Sequence, residues 1–327
     1  MREIKELLVQ KINELLDNGT VDRVAGWKAG EFCYDAAPAV FTKENIDELL
    51  YNGFCGANQS KFLVNAATTE NRILALLKPC DTYSYNQLVK EHRVDPSRVY
   101  ALGIPCTGMV DVNKIKALGI TGITGIEEDG ENLKIATIYG DASCKKCDVL
   151  LERCMVCKGK NHVAGDEMLI PDEEAPETPS CADRMAEVAR LEAMTEEERF
   201  NFWREQLSKC IRCNACRNAC PACTCRTCVF DNAKSGLAAK VNNTDFEENM
   251  FHIIRAVHVA GRCTDCGECS RVCPQNIPLH LLNRKFIKDI NEFYGEFQAG
   301  ADTTTKGPLT SFTKEDCEPS IVMERGE

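Results

Sequence analysis

No apolar run among the 327 residues approaches the roughly 20 that a bilayer-spanning helix needs, so no membrane span is expected. There is no HExxH helix, no Ser-His-Asp set and no P-loop, which leaves hydrolysis and phosphoryl transfer without residues to perform them. Basic residues are outnumbered, 39 Lys and Arg against 50 Asp and Glu, for a net charge of −11. With no basic stripe to offset that balance, nucleic-acid binding is not expected. Glycine (21) and proline (12) are too few for a collagenous or low-complexity chain. The first eight residues mix acids and bases with apolar side chains and offer no signal-peptide core, which points to a cytoplasmic protein.

Cysteine is abundant, with 21 residues. In a reducing cytoplasm, that density points to metal binding rather than to disulfides. Cys210-x2-Cys213-x2-Cys216-x3-Cys220-Pro221 has the bacterial ferredoxin spacing, and Cys263-x2-Cys266-x2-Cys269-x3-Cys273-Pro274 repeats it. Three thiolates on one tight loop reach three corners of a cubane, and the fourth points to the neighbouring cluster. One 4Fe–4S cluster is thereby assigned to Cys210, Cys213, Cys216 and Cys273, and a second to Cys263, Cys266, Cys269 and Cys220. Zinc knuckles would use two pairs of thiolates, leaving the third cysteine of each run and both prolines unexplained. The long insert between the runs resembles the helical dicluster domain of heterodisulfide reductase and succinate dehydrogenase iron–sulfur subunits.

Further thiols leave more than one reading open. Cys223-x-Cys225-x2-Cys228 can hold part of another cluster or a zinc, or pack as small apolar side chains. Cys144-x2-Cys147-x6-Cys154-x2-Cys157 is spaced like paired knuckles and suits zinc or iron–sulfur equally. Cys106 follows a predicted strand in the loop Gly103-Ile104-Pro105-Cys106, and Cys80 follows the preceding strand, so parallel neighbours would bring both to one sheet edge. Cys33, Cys181 and Cys317 are isolated and read as ordinary thiols, and His252 and His258 as packed or solvated side chains.

Ile4, Leu7, Leu8, Ile12, Leu15 and Leu16 recur at helical spacing before Gly19. Apolar runs at 21–27, 72–77, 98–104, 120–126 and 133–139 then alternate with helical stretches near 46–51 and 85–92, the pattern of an α/β domain. Residues 171–180 carry three prolines and three acids and read as a linker or surface loop. Beyond them Thr195 and Glu198 form a capping box, and further helices carry Met250, Ile253, Ile254 and Val257, then Leu279, Leu282, Phe286 and Ile290. The expected organisation is an α/β domain over 1–170, a linker over 171–182, a mostly α-helical dicluster ferredoxin domain over 183–299, and an irregular tail over 300–327.

Leu76, Lys78-Pro79-Cys80-Asp81, the GIPC loop at 103–106 and the Cys154-x2-Cys157 pair resemble the coenzyme F420 hydrogenase / formate dehydrogenase beta-subunit family over roughly residues 10–170. The resemblance implies iron–sulfur clusters, and often FAD, passing electrons between a catalytic subunit and a soluble carrier. It makes Cys106, Cys154 and Cys157 ligands of a third 4Fe–4S cluster with Cys80 the favoured fourth. Cys55, Cys144 and Cys147 compete for that place or for a fourth cluster. Two departures stand out. In the hydrogenase subunit the ferredoxin segment precedes the α/β domain, whereas here it follows. No flavin fingerprint accompanies the resemblance either, since Gly119, Gly122, Gly125 and Gly130 lack the G-x-G-x-x-G spacing.

The expectation is an iron–sulfur electron-transfer subunit of a cytoplasmic anaerobic oxidoreductase complex. Its partners would be hydrogenase, formate dehydrogenase or heterodisulfide-reductase-like subunits, some electron-bifurcating at a flavin, together with a ferredoxin-like carrier. The alternatives are an FAD-containing subunit that itself reduces a deazaflavin, and a zinc-stabilised assembly scaffold with one dicluster module.

Overall fold

Ile4, Leu8, Ile12 and Leu15 bury one stripe of helix α1 (Arg2–Asp17) against a sheet, and Gly19, at φ 73°, turns the chain beyond its end. The computed structural model describes residues 2–68, 71–176, 182–232, 234 and 245–310. The main sheet comprises β1 (Arg23–Ala29), β2 (Ala36–Phe41), β3 (Leu49–Leu50), β4 (Ile73–Leu77), β5 (Val99–Gly103) and, further along the chain, β9 (Glu167–Met168). Its order is β2-β1-β4-β5-β9, with β3 also pairing β1. β1, β4, β5 and β9 run parallel, whereas β2 and β3 are antiparallel to β1. β4 is buried at all five positions, as a central parallel strand covered on both faces must be.

Helix α2 (Gln59–Ala66) and helix α3 (Pro79–Lys90) pack beside this sheet. The expected helix near 46–51 is instead a single 3-10 turn, Ile46–Glu48, followed by β3, because Leu49 and Leu50 pair with Lys28 and Trp27 of β1. The apolar runs at 120–126 and 133–139 also stand apart from the parallel sheet. After the short helix α4 (Val112–Ala117), β6 (Ile123–Asp129), β7 (Asn132–Thr137) and β8 (Gly140–Lys145) form a separate antiparallel meander. Gly130, at φ 61°, makes the tight β6–β7 turn, and Leu133 and Ile135 alone bury β7's inner face. The short helix α5 (Glu152–Met155) closes this half.

Among the described residues from 182 onward there is no strand. Helices α6 (Ala186–Glu192), α7 (Glu196–Leu207), α8 (Ala215–Asn218), α9 (Asp245–Val259), α10 (Glu268–Arg271) and α11 (Leu279–Tyr294) follow one another, and cysteines lie in the connections after α7, α8, α9 and α10. Its regular elements are helices, but with these connections between them the expectation of a mostly α-helical domain is met only in part. Thr195 and Glu198 cap α7 reciprocally, as their spacing predicts. The expected tail is described only to 310. There Gly300, at φ 75°, lies so close to the Tyr83 carbonyl that a side chain could not fit, and Asn86 and Lys90 of α3 donate to the Ala301 and Thr305 carbonyls. Residues 177–181 of the expected linker and Cys317 lie outside the described residues, as does Cys181. No helix among the described residues is long and apolar enough to cross a membrane.

Candidate metal centre

The two ferredoxin runs fold alike, residue for residue. Arg212 and Asn214 have φ of 54° and 60°, and their counterparts Asp265 and Gly267 have 54° and 66°. In each loop a backbone N–H donates to the first cysteine's sulfur, Arg212 N to Cys210 Sγ and Asp265 N to Cys263 Sγ, both at 3.4 Å. The short helices α8 and α10 begin at equivalent places, carrying Cys216 and Cys269. The left-handed positions turn each loop back on itself, so that three side chains converge from seven residues.

The fourth cysteines cross over. Cys210, Cys216 and Cys273 pack in one apolar cluster with Leu207, Ile277 and Leu279, which Cys269 also joins. Cys220 packs with Cys263 and Val259 in another. The field at Cys216 comes in part from Cys273 and Cys213, and that at Cys220 in part from Cys266. Burial pushes the Cys210 and Cys263 thiols up to about 12. A proton must therefore leave each sulfur when metal arrives.

In the N-terminal half the parallel strands β4 and β5 end side by side. α3 begins immediately after β4, which puts Cys80 in its first turn, anchored by the buried Lys78–Asp81 ion pair of 2.8 Å. After β5 the loop carrying Cys106 is held by the Tyr51 hydroxyl, which donates to the Pro105 carbonyl. α5 supplies Cys154, whose sulfur accepts from Met109 N at 3.4 Å. Cys80, Cys106, Cys154 and Cys157 line one cavity, and Cys266 of the second ferredoxin run lines it too. Burial raises Cys106 to about 12, with the neighbouring Cys154 adding to the effect.

The donor set suits a multi-iron cluster better than a single ion. Tetrahedral zinc with 2.3 Å bonds holds its sulfurs about 3.8 Å apart. Among the described residues, the one trio of ligand atoms all within 4.8 Å is Cys210, Glu248 and His252. The four cavity thiols are thus spread more widely than one ion's ligands. Cys55, Cys144 and Cys147 do not line that cavity. Cys55 lies in the main core and contacts Asn52. Cys144 packs against the meander core, and Cys147 contacts Asp148. Cys223, Cys225 and Cys228 line a different cavity, against α2 and α9.

Sequence reasoning missed the charged residues that bind the halves together around these thiols. Arg153, beside Cys154, donates to the Cys266 carbonyl at 2.6 Å, to Glu268 and to the Gly56 carbonyl. Lys158 donates to the Thr264 carbonyl. Arg284 of α11 pairs with Asp265 at 3.1 Å and with Glu152 at 2.9 Å. Arg255 of α9, buried, donates to Cys216 Sγ at 3.1 Å and to the Cys216 carbonyl at 3.2 Å. Their one legible signal was position, since Arg153, Asp265 and Glu268 sit between or beside ligand-spaced cysteines. His252 proves buried beside Cys210, with burial first and then Arg255 and Arg212 lowering its imidazole to about 3.

A doubled ferredoxin loop docked on an α/β domain that brings a thiol-lined cavity of its own defines a protein of the iron–sulfur class. Residues 206–277 match the family described as a 4Fe-4S dicluster domain. The chain is 23% identical to the F420-dependent formate dehydrogenase subunit beta of Methanocaldococcus jannaschii, over 84% of this chain and 86% of that one. It is 25% identical to the F420-dependent formate dehydrogenase 1 subunit beta of Methanococcus maripaludis, over 84% and 87% respectively. A solved structure of the F420-reducing NiFe hydrogenase complex from Methanosarcina barkeri aligns with 46% of this chain and 58% of that chain, at 14% identity and a TM-score of 0.37. The chain is thus similar along most of its length to F420-dependent formate dehydrogenase beta subunits, and over residues 206–277 to a 4Fe-4S dicluster domain.

Proposed function

We propose that the chain is the electron-relay subunit of a cytoplasmic formate dehydrogenase- or F420-hydrogenase-like complex, moving electrons between a partner's catalytic centre and a flavin or soluble carrier. One observation carries this reading. Cys266, from the second ferredoxin run, lines the same cavity as Cys80, Cys106, Cys154 and Cys157, so the thiol sets of the two halves meet. In this reading Cys80, Cys106, Cys154 and Cys157 hold a third 4Fe–4S cluster. The set of Cys263, Cys266, Cys269 and Cys220 comes next, and that of Cys210, Cys213, Cys216 and Cys273 follows. Cys213 and Ile211 are exposed, which gives the last set a face toward a partner.

The clusters supply one-electron storage. The chain's residues do the rest. The apolar packing of Leu207, Ile277 and Leu279 keeps water from the first set, and Val259 does so for Cys220 and Cys263. Arg153 and Arg255 place buried positive charge beside ligand sulfurs, which favours the reduced, more negative state. The like sequence of formate dehydrogenase beta subunits supports the choice of complex.

The test is the iron, sulfide, zinc and flavin content of anaerobically purified chain. The reading expects about twelve iron or more per chain, four for each cubane. Cys106→Ser should remove about four iron while both ferredoxin-type signals persist in the reduced spectrum. About eight iron with stoichiometric zinc would instead establish the scaffold, and one FAD per chain would make the subunit itself a site of chemistry.

A further inference from the structure

A second thiol-lined cavity lies where α2 meets the dicluster half. Cys223, Cys225 and Cys228, three cysteines within six residues, all line it. So do five cationic side chains, Lys61, Arg217, Arg226, Arg255 and Arg262, and only one carboxylate, Asp231.

Four of the five cations lie close enough to the sulfurs to interact with them. Arg217 stands in the field of Cys228 while pairing with Asp231 at 2.8 Å. Arg255 donates to Cys216 Sγ at 3.1 Å and lowers the Cys223 thiol from nearby. Lys61 donates to the Cys223 carbonyl at 2.6 Å, and its ammonium lies in the field of Cys220, Cys223 and Cys225. Arg262 faces Cys223 and Cys225 and pairs with Glu91, outside the cavity. Among the described residues neither Lys61 nor Arg255 has a carboxylate partner. Buried or half-buried cations need counter-charge, and neutral thiols supply none. A set of iron-bound thiolates supplies it.

We propose that Cys223, Cys225 and Cys228 hold a fourth iron–sulfur cluster in this cavity, beside Cys220, with the cationic wall balancing its negative charge. Three thiolates from one loop occupy three corners of a cubane, as in each ferredoxin run. His258, exposed on α9, lines the same cavity and is the donor available to the remaining iron. The inference rests on the iron–sulfur reading of the chain but not on the third cluster, because the two cavities share no cysteine.

The test begins with the full chain, purified without oxygen and challenged with iodoacetamide before mass-spectrometric mapping. Cys225 is exposed and would react at once as a free thiol. It should stay unmodified while iron is bound and react fully once a chelator has stripped the protein. The double variant Cys225→Ala, Cys228→Ala should then lose about four iron and the matching sulfide, with the ferredoxin-type signals unchanged. Prompt alkylation of Cys225 in iron-replete protein would overturn the proposal, as would a variant that keeps all its iron. Loss of zinc in place of iron would also overturn it, in favour of a single-ion site. Should the variant fail to fold, the alkylation of the unaltered chain still decides. Collapse of the wider reading looks different, because the unaltered chain would then hold fewer than about eight iron.

Discussion

Arg255 shows how much one side chain can set. Its guanidinium is buried, has no carboxylate partner among the described residues, and donates to Cys216 Sγ at 3.1 Å. A fixed positive charge in that position stabilises the extra electron of a reduced cluster. Arg255→Gln should lower the midpoint potential of the cluster proposed on Cys210, Cys213, Cys216 and Cys273, by an amount on the order of tens of millivolts or more. Arg255→Lys should recover much of the loss because it restores the charge. Redox titration followed by electron paramagnetic resonance measures both. A purely structural role for Arg255 would make the two variants alike. Glu248 and His252, on the same helix, sit against Cys210, so the polar side of α9 is the side turned to the metal loops.

At the scale of elements, the two cysteine loops are one design used twice, and the repeat was plain in the sequence because ligand spacing is covalent. Gly267→Ala tests the left-handed turn on which that design depends. The strain of a side chain there costs about 1–2 kcal/mol, and a Cβ would also stand 3.0 Å from the Arg153 side chain. Iron should therefore leave the variant faster when a chelator is added, and the visible absorbance of the cluster follows this directly. The existence of α9 was equally legible, but its orientation was not. Ile253 and Val257, which revealed its periodicity, are exposed, whereas Glu248, His252 and Arg255 are buried. Hydropathy sorts side chains between water and oil, and it has no category for an interior that is itself charged. For the same reason Cys144 and Cys147 shared a knuckle-like spacing with Cys154 and Cys157 in the sequence, yet β8 keeps the first pair with the meander while α5 delivers the second to the cavity. The alternation of strands and helices gave the α/β class of this half correctly. It could not show that the runs at 120–126 and 133–139 pair only with each other and β8, since periodicity carries no information about partners.

For the molecule as a whole, the join between the halves is ionic. Burial alone would raise the Glu268 carboxyl, yet Arg271 and Arg153 overcome it and hold it at about 2. Burial likewise opposes, and His280 and Arg284 overcome, at Glu152, which is also held at about 2. Both carboxyls titrate near 4.5 in an unfolded chain, so their contribution is complete above that pH and is lost as the pH falls toward 2. Stability against denaturant should accordingly decline as the pH falls below about 4.5, and Glu268→Gln should flatten part of that decline. Glu268 clasps Arg153 across the join and Asp265 holds Arg284, which reaches Glu152 on the other side, and both acids belong to the same short loop as Cys263, Cys266 and Cys269. The backbone that shapes this thiol cradle therefore also carries the clasp, so a shift in the one is a shift in the other.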